Sequence, residues 1–298
     1  MSAAQPGNVP SGGNSVAGGW DVTRSVGATA LAVAAARAAE AERPGPLVVD
    51  PFARALVDAA GPDVPLPRGA DAGDDWGALV DMMAIRTRVL DAALLAAAAD
   101  GVRQVVVPAT GLDARSHRLP WPGGTTLYGI DQPGVLRHTA GVLGTARARA
   151  RRVDVPCDLR DDWPAALRAA GFDPARPTAW LVEGLLPYLP PDAEAGLLAR
   201  IDALSAPGSR VALEAVDLAV ADEYLRSDAV REMVAATGCD LGALWDTRRR
   251  PPATTVLRAA GWDARERTLG ALGAELGRDP SGPLGGLVAH AVIVEAAR

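Results

Sequence analysis

Two apolar runs that each end in a polar turn set the frame of the chain. Gln104-Val105-Val106-Val107-Pro108 leads into Ala109-Thr110-Gly111, and Leu127-Tyr128-Gly129-Ile130 ends on Asp131. Short continuous apolar runs bounded by turn residues predict buried parallel strands. Arg152 to Pro156 predicts a third strand, and Ala179-Trp180-Leu181-Val182 a fourth that delivers Glu183 and Gly184 to the same edge. Arg210 to Glu214, Trp262 to Leu269 and Leu287 to Glu295 complete about seven. Helical segments alternate with them: Pro133 to about Arg149, Trp163 to Ala170, Asp192 to Leu204 and Ala253 to Ala260. The last two strands are separated by a turn-rich segment with Gly277, Pro280 and Gly282 rather than a full crossover helix, which suits an antiparallel closing strand. The fold class expected is α/β, a Rossmann-like, mostly parallel seven-stranded sheet.

Upstream of the first strand the pattern is helical. Residues 1–19 are rich in Gly, Ser, Pro and Asn and read as a disordered tail. Arg24 to Glu40 is an alanine-rich helix that should end before Pro44 and Gly45. Asp50 is expected to cap a short helix with Pro51 at its first position. Trp76 to Ala98 carries a broad apolar side (Leu79, Met82, Met83, Ile85, Leu90) interrupted by Arg86, Arg88 and Asp91. Residues 20–100 are therefore read as an N-terminal helical cap, and 101–298 as the core that carries the sheet. A helical lid insertion is expected at about 217–250.

In open α/β sheets a ligand lies outside the carboxyl ends of the strands. There a glycine lets backbone approach it, and an acid ending the next strand can accept both hydroxyls of a ribose. Gly111 and Asp131 have that spacing. A dinucleotide fingerprint would need further glycines to cradle a pyrophosphate, and only Gly111 is present between Pro108 and Arg115. A ligand with a ribose and no phosphate fits better, which favours S-adenosylmethionine (SAM) over NAD. The competing structural reading is that Gly111 only turns the chain and Asp131 only caps the helix opened by Pro133.

Composition narrows the partners. Thirty basic residues against 36 acidic ones give a formal charge of −6, which argues against nonspecific nucleic-acid binding. Apolar residues make up 49%, yet Phe52 and Phe172 are the only phenylalanines, so the core must be built from Ala, Val and Leu. Cys157 and Cys239 make no disulfide framework, and His117, His138 and His290 are too scattered to suggest a metal site. Neither a secretory leader nor a membrane-length apolar run is visible, so a cytoplasmic protein is expected. Nothing in the pattern specifies an oligomeric state.

Several short words occur together and in order: Ser25-Val26-Gly27-Ala28-Thr29, Asp50-Pro51-Phe52-Ala53, Arg86-Thr87, Gly111-Leu112-Asp113-Ala114-Arg115, Ile130-Asp131-Gln132-Pro133, Asp158-Leu159-Arg160, and Glu183-Gly184-Leu185-Leu186-Pro187-Tyr188-Leu189. By these words the chain resembles the actinobacterial branch of the leucine carboxyl methyltransferase family, SAM-dependent O-methyltransferases, from about residue 20 to the C-terminus. The resemblance implies a class I methyltransferase sheet with extra helices over the active site. It also implies that Gly111, with Ala109, passes beside the methionine part of SAM, and that Asp131, next to Gln132, holds the ribose. Asp158 and the backbone of Leu159 would hold adenine. Glu183 would line the methyl-transfer end, and Arg86 and Arg24 would meet the SAM carboxylate. Three departures stand out: Pro108-Ala109-Thr110 before Gly111 where the family usually has an alanine or glycine pair, Gly129 where it often has an acid, and Arg137-His138 where a lysine is common.

Methyl transfer from a sulfonium is an in-line displacement that mainly requires alignment and exclusion of water. A carboxylate acceptor needs no general base, being ionised near pH 7. Glu183, Tyr188 and His117 are the candidates at the reacting end. For Tyr188 the competing reading is core or wall, for His117 a packed or surface role, and for Arg86 a surface or salt-bridged arginine. The expectation is O-methylation of a small organic acid or hydroxylated metabolite, such as a lipid or secondary metabolite, leaving S-adenosylhomocysteine (SAH). A NAD-dependent oxidoreductase and a noncatalytic SAM-binding regulator are the alternatives.

Overall fold

The computed structural model describes residues 26–61, 74–144, 146–217, 225–226, 231, 241–280 and 291–298. Three helices come first: α1 (Val26–Ala41), α2 (Ala53–Asp58) and α3 (Asp74–Ala99). The sheet then begins with β1 (Gln104–Pro108), α4 (Arg115–Arg118), β2 (Thr126–Asp131), α5 (Pro133–Leu143), β3 (Arg151–Pro156), α6 (Trp163–Ala169) and β4 (Thr178–Val182). A 3-10 turn at Leu186–Tyr188 leads to α7 (Pro191–Ala203) and β5 (Arg210–Val216). The chain continues through α8 (Leu241–Leu244), α9 (Ala253–Ala259), β6 (Asp263–Thr268), α10 (Leu269–Glu275) and β7 (Ala291–Ala297).

Seven strands form one sheet in the order β3-β2-β1-β4-β5-β7-β6. β7 runs antiparallel to both of its neighbours and the other pairings are parallel, as the turn-rich final segment predicts. Strand side chains alternate between faces, and the two faces carry different cores. Val105, Val107, Leu181, Ala212 and Ile293 pack with Leu31 of α1 and Ile85, Leu90 and Leu94 of α3. Val106, Ile130, Trp180, Val182 and Leu213 pack with Trp163, Leu167, Leu197 and Trp262 on the other side. The N-terminal helices are thus one of the two layers that bury the sheet. Because α3 lies over that face, Arg86 on it reaches the strand ends. No helix among the described residues is long and apolar enough to cross a membrane.

Three boundaries differ from the sequence reading. The helix after Pro133 ends at Leu143 rather than near Arg149, with the Gly144 amide donating to the Ala140 carbonyl. The amides of Arg149 and Ala150 both donate to the Ser116 carbonyl, so a tertiary contact takes over where helix propensity would have continued. α2 begins at Ala53, leaving Pro51 and Phe52 in a turn whose amide at Phe52 is capped by Asp50 Oδ1 (3.0 Å). Leu269 opens a seven-residue helix instead of ending a strand, because Thr268 caps it by accepting the Ala271 amide. The expected disordered tail, Arg24, most of the 217–250 lid, Cys239 and His290 lie outside the described residues.

Candidate active site at the carboxyl ends of the strands

The turn after β1 is tightly specified. Ala109 (φ 52°) and Gly111 (φ 55°) both occupy the left-handed region, and Ala109 is the only non-glycine to do so among the described residues. A Cβ makes that conformation costly, so the surrounding bonds must enforce it. The Thr110 amide donates to the Ile130 carbonyl (3.0 Å), tying the turn to the end of β2. The Gly111 amide donates to Asp131 Oδ2 (2.7 Å), and the Gln132 amide to Asp131 Oδ1 (2.7 Å). Each Asp131 oxygen therefore has one backbone donor and keeps lone pairs for a ligand. Burial raises the Asp131 pKa, and the two amides oppose that rise.

Gly129, one of the departures noted in the sequence, has a packing reason. A Cβ there would lie 3.1 Å from both Oγ1 and Cγ2 of Thr110. Gly129→Ala is expected to cost about 1–3 kcal/mol through overpacking, and Thr110→Ala in the same chain to recover part of it. Urea unfolding of the two single variants and the double variant checks this.

At the end of β3 the Cys157 amide donates to the Asp131 carbonyl (3.0 Å), which brings Asp158 alongside β2. Asp158 accepts the Arg160 amide (2.9 Å) and pairs with its exposed guanidinium (2.7 Å), which holds the carboxyl below its usual range. Leu159 packs partly against the core of that face.

The end of β4 opens onto a buried ionic network. Glu183 Oε2 lies 2.7 Å from Arg115 Nη1, and Glu183 Oε1 lies 3.0 Å from Arg86 Nε without hydrogen-bond alignment. Arg86 Nη1 donates to Glu214 Oε2 (3.0 Å), and that oxygen also accepts the Gly184 amide (3.0 Å). Arg115 further binds Asp113 (2.5 Å) and Asp91 (2.7 Å), and Arg118 binds Asp91 (2.5 Å) and approaches Asp50 (3.8 Å). Arg37 of α1 closes the chain on Asp50 (3.0 Å) and donates to the Leu112 carbonyl (2.9 Å). The structure therefore places Arg86 between two carboxylates.

Burial opposes ionisation of Glu183, but Arg115, Arg86 and Arg37 outweigh it and hold the carboxyl at about 2, against an ordinary 4.5. A depressed carboxyl contributes stability that is complete above about pH 4.5 and is lost as pH falls toward 2. The difference corresponds to on the order of 3 kcal/mol at neutral pH. Asp131, with a raised pKa, works with the opposite sign. A falling urea midpoint between pH 4.5 and 2 is expected, and a flatter acid limb in Glu183→Gln.

Tyr188 lies half-buried in the 3-10 turn, its ring edge-on to Trp245 at 6.3 Å. Arg250 staples the segment after Trp245 to this turn through the Leu189 carbonyl (2.8 Å) and Glu194 (2.8 Å). His117 takes a different place. It is buried, bonded through Nδ1 to Ser116 Oγ (2.9 Å) and edge-on to Phe52 at 5.7 Å. Burial and Arg152 lower its pKa. It follows Arg115 by two positions in α4, a spacing that does not face the same way, so the structure does not bring it to Glu183. His138 is half-buried with Nε2 3.0 Å from the Leu56 carbonyl.

Arg115, Glu214 and Arg37 were not singled out by sequence reasoning. Asp91 was noted only as an interruption of an apolar face. A buried charge on such a face demands a partner, and that was the one available signal.

Comparison with known proteins identifies the family. The leucine carboxyl methyltransferase family model matches residues 30–202. A protein of Mycobacterium avium (strain 104) is 47% identical, covering 87% of this chain and 90% of its own length. One of Saccharopolyspora erythraea is 46% identical, covering 86% and 89%. Both are named "Putative S-adenosyl-L-methionine-dependent methyltransferase". Among solved structures, a DUF574 family protein of Streptomyces avermitilis superposes with a TM-score of 0.52 at 17% identity, covering 89% of this chain and 96% of that one, which speaks to the fold. The chain belongs to the leucine carboxyl methyltransferase family.

Proposed function

We propose that this SAM-dependent methyltransferase transfers the methyl group to an oxygen of a small organic acid or hydroxylated metabolite. The observation that carries the reading is the Asp131 carboxylate, fixed by the amides of Gly111 and Gln132 while keeping acceptor capacity toward the strand ends. That arrangement suits a ribose diol. Asp158 and Leu159 stand beside it for adenine. Glu183, held ionised by Arg115 and Arg86, stands at the other end.

When bound, SAM supplies an electrophilic methyl on a sulfonium. The protein's share is alignment and exclusion of water. Ala109 and Gly111 bring backbone close to the ligand, and Arg86 stands at its amino-acid end. The Tyr188–Trp245 pair forms a wall on the acceptor side. A carboxylate acceptor would need no base, which agrees with a Glu183 held fully ionised by arginines rather than poised near neutrality. The test is incubation with methyl-labelled SAM and metabolite extracts, followed by identification of the product. Label in a base-labile ester is expected for a carboxylate acceptor and in a stable ether for a hydroxyl. Label on nitrogen or carbon only, or none despite SAM binding, would overturn the reading.

A further inference from the structure

Tyr188 and Trp245 meet beyond the carboxyl end of β4, and Trp245 carries a donor that nothing satisfies. Its ring is half-buried, but its indole nitrogen is buried and has no hydrogen-bond partner among the described residues. An indole nitrogen offers one N–H and no acceptor capacity, so the group is wholly unsatisfied, and covering such a group costs free energy. The indole has little freedom to turn toward a partner. The Asp246 amide donates to the Pro187 carbonyl (2.9 Å), and Arg250 donates to the Leu189 carbonyl and to Glu194 (both 2.8 Å). The ring itself stands edge-on to Tyr188 at 6.3 Å and packs against the core shared with α1 and α3. Its position is thus fixed by neighbours on every side that leave the donor unused.

The order of the sheet gives this donor its place. With adenine, ribose and methionine at the ends of β3, β2 and β1, the cofactor runs along the edge toward β4, and the acceptor lies next in line over β4 and β5. The 3-10 turn that carries Tyr188 follows β4, and the Trp245 segment is bonded onto that turn. Gly184 is exposed there, and Glu183 and Tyr188 are half-buried, so this stretch of the edge is not sealed among the described residues. We propose that Trp245 is a specificity-determining residue, its indole N–H donating to an acceptor oxygen other than the one that is methylated. The proposal rests on the strand ends being the SAM site. It narrows the acceptor to a molecule with a second oxygen beside the reacting one: a carboxylate, or a hydroxyl next to a carbonyl. One oxygen forms the new O–C bond as the S–C bond breaks and leaves its electron pair on sulfur, while the other holds the indole N–H. A carboxylate brings no proton to the reaction, and a hydroxyl gives its proton to water.

The test is methyl transfer by the full chain from labelled, saturating SAM to a dilution series of a protein-free extract of actinobacterial cells. Trp245→Phe keeps an aromatic ring and drops the donor. It is expected to need about tenfold more extract for half-maximal labelling. Maximal labelling should stay within about threefold and SAM affinity within about twofold of the unaltered chain. The labelled product, a base-labile ester or a stable ether, should carry a second oxygen beside the methylated one. Half-saturation like that of the unaltered chain, a parallel loss of SAM affinity, or a product without that second oxygen overturns the proposal. Should Trp245→Phe fail to fold, benzothienylalanine placed at position 245 by nonsense suppression decides in the same assay, because it exchanges only the N–H for sulfur within the same bicyclic shape. Its unfolding midpoint should equal or exceed that of the unaltered chain, since no bond is lost in the free protein, and a lower midpoint overturns the proposal. An unaltered chain that binds SAM and labels nothing overturns the O-methylation reading and this proposal with it, and one that binds no SAM overturns the cofactor reading as well.

Discussion

Asp131→Asn is expected to lower SAM affinity by at least about a hundredfold. The carboxylate's free lone pairs can accept two ribose hydroxyls, and hydrogen bonds to a charged acceptor contribute about 1.5–3 kcal/mol each. Asparagine offers one carbonyl oxygen where two oxygens now serve the Gly111 and Gln132 amides. Its amide group would turn a donor toward one of those donors, orphaning it at a further cost of about 1–3 kcal/mol in stability. The two effects separate experimentally. Thermal unfolding reads the orphaned amide, and titration well below the midpoint reads the lost ribose contact. A folded variant that binds SAM within tenfold of wild type would remove Asp131 from the site.

Arg115→Met is expected to be the most damaging substitution for stability, at about 3–5 kcal/mol. Arg115 is 5% exposed, and its guanidinium meets Asp91, Asp113 and Glu183. Removing one partner of a buried ion group leaves the others charged and uncompensated, which is where such groups become costly. Its own pKa is raised well above the ordinary value: burial opposes its charge, but Glu183, Asp113 and Asp91 together outweigh that effect. Arg160→Met supplies the contrast. Its side chain is 86% exposed, and its pair with Asp158 should be worth less than about 1 kcal/mol. Urea unfolding at neutral pH checks both, and similar small losses in the two variants would mean that the network does not hold the N-terminal layer to the sheet.

The sheet was legible because its central strands are buried on both faces and so read as unbroken apolar runs. Val105 to Val107 and Ala179 to Val182 are such runs, and Pro108 ends the first while Glu183 follows the second. Helix limits were less legible. Ala146 to Arg149 has the composition of a helix, but α5 ends at Leu143 with Gly144 as its cap, and the Arg149 and Ala150 amides pair with Ser116, more than thirty residues earlier.

Candidate residues tied to strand ends could be picked out by position: Gly111 and Glu183 follow strands and Asp131 ends one, while Asp158 was supplied by the resemblance. The network could not. Arg86 and Glu214 are 128 residues apart in sequence, Arg115 and Asp91 are 24 apart, and neither pair leaves a spacing pattern. The resemblance implied that Arg86 meets the SAM carboxylate, while its place on an apolar helix face called for a partner, and the structure supplies two inside the protein, Glu183 and Glu214. His117, offered as a candidate at the reacting end with packing as the competing reading, lies buried on a four-residue helix with its ring against Phe52.

The central claim is that SAM lies across the carboxyl ends of the strands with its ribose on Asp131. Calorimetric titration of the full chain with SAM, repeated in the presence of SAH and with the Asp131→Asn variant, tests it most directly. The account expects saturable one-to-one binding that SAH displaces and that the folded variant loses. A folded wild-type chain that gives no heat with either compound, or a variant that binds like wild type, would contradict it.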